Sequence, residues 1–112
     1  MANINFKEWL KTDLRVGKIL KAEDIEGADK LYKLEIDLGG ELGKRTICAG
    51  IKEHYSKKEL DGKKIIVIVN LEPREIKEIE SKGMLLAAVS DDKKEVVLLS
   101  PEKDVKEGMK VS

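Results

Sequence analysis

The chain has 112 residues, with 22 basic and 22 acidic side chains and no net charge. That length suits one domain with its own core, needing neither disulfide nor metal. No apolar run approaches the span of a bilayer and the N-terminus lacks the basic-then-apolar layout of a signal peptide, so a cytoplasmic protein is expected. Cys48 is the only cysteine, which excludes an intrachain disulfide and a Cys-based metal cluster. Charged residues make up 39% of the chain, mostly Lys and Glu, and Gln is absent. This balance suits a hyperthermophile, where ion-pair networks gain value and labile amides are avoided. The charge is uneven: residues 43–64 carry seven basic and three acidic groups, residues 23–42 two and seven.

Asn5-Phe6-Lys7-Glu8 has the pattern of a capped helix start. Phe6, Trp9 and Leu10 then fall on one helical stripe, expected to pack on the domain, or in part on a second subunit. Residues 14–25 form a first strand whose alternation slips at Gly17-Lys18, as a bulge would make it. After a turn around Gly27, Tyr32, Leu34, Ile36 and Leu38 alternate with Lys33, Glu35 and Asp37, which predicts a half-buried strand. Glycines 39, 40 and 43 break it, and residues 44–49 form a third strand, paired with the second as a hairpin.

Ser56 to Glu59 repeats the capping-box pattern ahead of a very short helix. The run Ile65 to Asn70 is a fourth strand, and Met84 to Ser90 a fifth. Between them lies a polar connection broken by Pro73 and Gly83, and binding groups tend to sit on such a connection when strands hold it rigidly. Gly83 allows a close approach that a Cβ would block. After a turn at residues 91–94, Val96 to Leu99 form a further strand with no polar face, followed by a tail holding Val105, Met109 and Val111. The expected fold is all-β: a five-stranded Greek-key OB barrel with short helices and a C-terminal β extension, all within residues 1–112 as one domain.

No catalytic constellation is found. His54 is the only histidine and Cys48 the only cysteine, too few to make a metal cluster, so no metal or cofactor is expected. Cys48 lies among core residues, where a thiol is inert. The glycines lack the Lys-Ser/Thr that would follow in a phosphate loop.

Four spaced motifs carry a resemblance over nearly the whole chain: Asp13-Leu14-Arg15-Val16-Gly17-Lys18-Ile19, Ala28-Asp29-Lys30-Leu31-Tyr32, Arg45-Thr46-Ile47-Cys48-Ala49-Gly50, and Asn70-Leu71-Glu72-Pro73-Arg74 followed by Ser81-Lys82-Gly83-Met84. Together they resemble the tRNA-binding domain family, which includes stand-alone tRNA-binding proteins and the β subunit or C-terminal domain of methionyl-tRNA synthetase. The resemblance implies a non-catalytic module that binds folded tRNA, pairs as a homodimer and serves methionyl-tRNA synthetase or another synthetase. It departs from the family at Glu72, Glu78 and Lys82, where members often have Lys, Gly and Gln.

An OB barrel binds through the face of its second and third strands and the flanking loops. Lys30, Lys33 and Arg45 would lie there and contact phosphates, with Arg74, Lys77 and Lys82 adding charge from the polar connection. Asn70 and Ser81 can hydrogen-bond a base edge, a 2′-hydroxyl or a neighbouring backbone group, Asn70 can equally cap the end of the fourth strand, and Met84 can lie against a base or fill the core; the resemblance implies RNA contact for Asn70, Arg74, Ser81 and Met84. Few aromatics remain for stacking, which favours recognition of folded RNA by shape and backbone. The apolar tail residues Val96, Val97, Leu98, Leu99, Val105, Met109 and Val111 would form the dimer interface. The alternative, from another class, is a dimeric peptide-binding secretion chaperone of the same fold.

Overall fold

The computed structural model describes residues 1–112. A short helix α1 (Phe6–Leu10) precedes a long strand β1 (Leu14–Ile25), followed by β2 (Ala28–Asp37) and β3 (Lys44–Ala49). Helix α2 (Lys57–Leu60) leads into β4 (Lys64–Ile68). A small hairpin, β5 (Arg74–Ile76) and β6 (Ile79–Ser81), comes before β7 (Met84–Leu85). A second hairpin, β8 (Ala87–Val89) and β9 (Val96–Leu98), and a last short strand β10 (Lys110–Val111) complete the chain.

The main sheet runs β3-β2-β1-β4-β7, all antiparallel. Strand β1 serves two neighbours at once because it is long and bent. Its first half pairs with β4 and its second half with β2, and the two pairings overlap at Lys18. The expected irregularity is present, but at Ile19–Lys21 and again before Ile25. Gly17 answers to packing instead: a Cβ there would lie 2.8 Å from Ile36 Cγ2 inside the barrel.

The sheet curls until its ends meet. The Lys82 N–H donates to Thr46 O at 3.0 Å, and the Cys48 N–H donates to Ser81 Oγ at 2.9 Å. These bonds join β3 to the β6–β7 corner and close a five-stranded barrel. Gly83 makes the corner possible: its φ is +122°, and a Cβ there would meet Ile68 O at 2.8 Å. The alternation read on β2 holds, with Leu34, Ile36 and Leu38 almost fully buried. They pack with Ile19, Ile47, Leu60, Ile65 and Val67 inside the barrel.

A second, smaller core lies outside the barrel wall. Cys48 is paired with Lys33, whose face alternates with the buried one, so its side chain points outward. It is nevertheless buried, grouped with Ile25 and Ala28 and covered by Ile76 and Ile79 of the β5–β6 hairpin. What reads in sequence as one polar connection is therefore a folded hairpin with an apolar inner face. Burial pushes the Cys48 thiol up from its ordinary pKa, so the thiol stays protonated.

The tail wraps its own barrel. Strand β10 pairs with the start of β1, on the edge that β2 leaves free. The Gly108 N–H donates to Val16 O at 2.7 Å, and the Val16 N–H donates to Met109 O at 2.9 Å. Lys64 Nζ clasps the tail from β4, 2.7 Å from Asp104 Oδ1 and 3.3 Å from Glu107 Oε1, and also donates to Val105 O. Helix α1 is capped by Asn5 and Glu8 as expected, yet it buries nothing. Phe6 is 70% exposed and Leu10 60%, so the stripe does not pack on the domain.

Candidate nucleic-acid interface

The largest cavity is an open groove of about 910 Å³ between the outer face of β3 and the β5–β6 hairpin. Lys33, Lys44, Arg45 and Lys82 line it, with Thr46 between them. Leu42, Val69, Leu71, Pro73 and Ile79 give it apolar patches, and Glu78 and Glu80 bring two carboxylates against the four cations. Sheet register explains the gathering. Lys44 and Thr46 alternate with buried Ile47 along β3, and Lys33 stands across from Cys48 on the same outer face, whereas Arg45 has the parity of Ile47 and is paired with buried Ile36. The hairpin is held over that face by the small outer core, so its strands form the opposite wall.

Not every cation here is free. Arg45 Nη1 donates to Val69 O at 2.7 Å, tying β3 to the end of β4. Lys82 Nζ lies 3.4 Å from Glu80 Oε1. Lys33 and Lys44 form no ion pair, although Glu23 and Asp37 stand across the strands from them and moderate their charge. A formally neutral chain thus presents a locally positive channel, whose field is set by local arrangement and not by net charge.

Of the residues expected from sequence, Lys33, Arg45 and Lys82 meet in the groove. Lys30, Arg74 and Lys77 are exposed but do not line it, and Met84 is 47% exposed on the short strand β7. Ser81 is turned away from the RNA contact that the resemblance implies, and Asn70 takes the backbone-bonding role that is its alternative. Ser81 is the one buried polar residue, 3% exposed, and its hydroxyl accepts from the Cys48 N–H. Asn70 is at the surface, but its Oδ1 accepts from the Asp13 N–H at 2.9 Å and its Nδ2 donates to Lys11 O. Its amide acts as a piece of strand backbone, fastening the segment after α1 to the end of β4. Lys44, Ile79 and Glu80 carry no expectation from sequence, while Leu71, Pro73 and Glu78 are marked there by motif or departure but given no binding role. Lys44 could have been singled out, since it lies at the start of a strand on the face already favoured.

The apolar residues expected at an interface also separate. Leu98 points into the barrel and is 5% exposed, a correction forced by its place in the main core. Val96 packs against that core, and Val105 and Val111 are half-buried. Val97, Leu99 and Met109 remain exposed, joined by Val89 on the facing strand.

A family model described as "Putative tRNA binding domain" matches residues 14–110. The chain belongs to this family. It is 48% identical over 111 residues to a methionine–tRNA ligase of Pyrococcus furiosus, which covers 99% of the chain but 15% of the ligase. The chain thus spans about 15% of the length of the ligases it resembles. Over its whole length it superposes on a MetRS-related protein from Pyrococcus horikoshii, at 38% identity with a TM-score of 0.91 and all of that chain covered. The chaperone CsaA of Bacillus anthracis is nearly as similar, at 34% identity and a TM-score of 0.89, covering 99% of this chain and 100% of that one. Both matches agree with the OB barrel. No helix is long and apolar enough to cross a membrane.

Proposed function

We propose that the protein is a non-catalytic, cytoplasmic tRNA-binding module that receives folded tRNA in the groove between β3 and the β5–β6 hairpin. The observation that carries this reading is the gathering of Lys33, Lys44, Arg45 and Lys82 around one channel in a chain of zero net charge, within a tRNA-binding family. Lys33 and Lys44 neutralise phosphates, Lys82 does so from the hairpin side, and Arg45 chiefly holds the groove's shape. The protein works as a homodimer in the manner of a β subunit of methionyl-tRNA synthetase, delivering tRNA to that or another synthetase. Exposed Phe6, Leu10, Val97, Leu99 and Met109 supply the apolar surface for the second copy or the synthetase. Two copies double the positive surface offered to one RNA.

The likeness to CsaA and the same exposed apolar side chains favour a second reading, capture of apolar peptide segments. Salt separates the two. Log affinity for tRNA should fall linearly with log salt, with a slope of roughly −0.7 to −0.9 per phosphate neutralised, while apolar peptide binding should barely change. Lys33→Ala and Lys44→Ala should each reduce that slope by about one and weaken all tRNAs alike. Binding of tRNA that is indifferent to salt and to both substitutions would remove the groove from consideration.

A further inference from the structure

A channel for a polyanion gains nothing from carboxylates, since each repels the phosphates that the lysines attract. Yet Glu78 and Glu80 both line this one. The two are not equivalent. Glu80 is engaged by Lys82 Nζ. Glu78 shares the groove with four cations but forms no ion pair and no side-chain hydrogen bond with any of them. It occupies the second central position of the two-residue turn between β5 and β6, where Lys77 and Glu78 have φ of +51° and +67°. Turns of this kind are made at least cost by glycine or asparagine, and a glutamate there is an outlier. Backbone held in this region by its surroundings is a feature of binding clamps. Here the small core of Ile76, Ile79, Ile25, Ala28 and Cys48 does the holding.

An unpaired carboxylate, apolar surface at Leu71 and Pro73, and flanking lysines together make a site for a nucleotide. A carboxylate can only accept hydrogen bonds, and with two oxygens it best meets two donors side by side. Among unpaired bases, guanine alone has that pair on its Watson–Crick edge, N1–H beside N2–H. Adenine and cytosine set one amino donor beside an acceptor, and uracil places its single N–H between two acceptors. The cavity is large enough for a nucleotide and its neighbouring phosphates.

We propose that Glu78 is a specificity-determining residue that accepts from N1–H and N2–H of one unpaired guanine, lodged against Leu71 and Pro73 while Lys44 and Lys82 hold the adjoining phosphates. This rests on the groove being an RNA site. It turns binding by contour alone into binding with a preference at one position.

The test uses the whole protein and tRNA assembled from two synthetic halves. Unpaired guanosines are replaced one at a time by inosine, which lacks only the N2 amino group. At one position the wild type should lose affinity on the order of tenfold. Glu78→Gln should bind the guanosine and inosine forms equally. Glu78→Gly should also lose the preference while melting higher, which separates base reading from a damaged fold. If Glu78 merely repels phosphates, Glu78→Gln will bind every tRNA more tightly and no inosine position will matter in the wild type; either result overturns the assignment. Salt-dependent binding that is blind to inosine leaves the groove as an RNA site and removes only Glu78's role. Absence of tRNA binding at low salt removes both.

Discussion

Ser81 and Asn70 show how a polar residue at a promising place can be consumed by the fold. Ser81 gives its oxygen to a buried backbone N–H at the barrel's closing seam. Ser81→Ala leaves the Cys48 N–H without an acceptor, and should lower stability by about 1–3 kcal/mol in urea unfolding. Its tRNA affinity per folded molecule should be unchanged; a contact residue would show the opposite pattern, with affinity lost and melting kept. Gly83 stands at the same seam for a different reason, because its φ and its contact with Ile68 O both forbid a Cβ. Gly83→Ala should cost more than about 1 kcal/mol. The expectation that a Cβ would be blocked at Gly83 came from its place between two apolar runs. Nothing in the spacing of Ser81 could show that its hydroxyl faces inward, since the register that turns it depends on the hairpin beside it.

At the scale of elements, the β5–β6 hairpin and α1 have opposite fates. The hairpin stays folded because Ile76 and Ile79 lie over Cys48, and only this outer core gives so short a ribbon its stability. Glu75 and Glu80 stand directly opposite each other on it, a like-charge pair that works against the ribbon and makes the apolar cover more necessary. Helix α1 has five residues, too few to be stable alone, and it is kept in place by its capping box and by the Asn70 clamp on the following segment. Its apolar side chains find no cover within one chain. Removal of residues 1–10 should leave thermal unfolding of the barrel nearly unchanged while moving the proposed dimer towards monomer in sedimentation equilibrium. Leu98 and Val97 make a matching contrast on one strand. Leu98→Ala should cost about 2–5 kcal/mol from the cavity it leaves, whereas Val97→Asp should alter self-association and little else.

For the whole molecule, the balance of charge governs pH behaviour. Hydrogen bonds from Arg15, from Lys57 and Lys52, and from Lys64 hold Asp13, Asp24 and Asp104 below the usual carboxylate range. Each adds stability above the unfolded carboxylate pKa near about 4, and that stability is lost as pH falls through the depressed folded value. Lys64 is raised by Asp104 first and then by Glu107, so its contribution is present below about pH 10 and lost as pH rises through the folded value. The melting temperature should therefore be level between about pH 5 and 9 and drop at both ends. Lys64→Met should remove the alkaline decline and loosen the tail, readable as faster amide exchange at Gly108.

Chain-local chemistry decided much of this protein by itself. The period-two run on β2, the two capping boxes, the glycine breaks and four ordered motifs were enough to specify a barrel and its family, because each depends on neighbours only a few residues away. What the sequence could not carry was the meeting of distant segments: Lys33, Lys44 and Lys82 on one channel, Cys48 buried on the outside of a wall, Ser81 turned into the closing seam, α1 left uncovered. Those depend on where the sheet curls and which face the hairpin covers. That is settled when β3 meets the β6–β7 corner, through contacts between residues more than thirty positions apart.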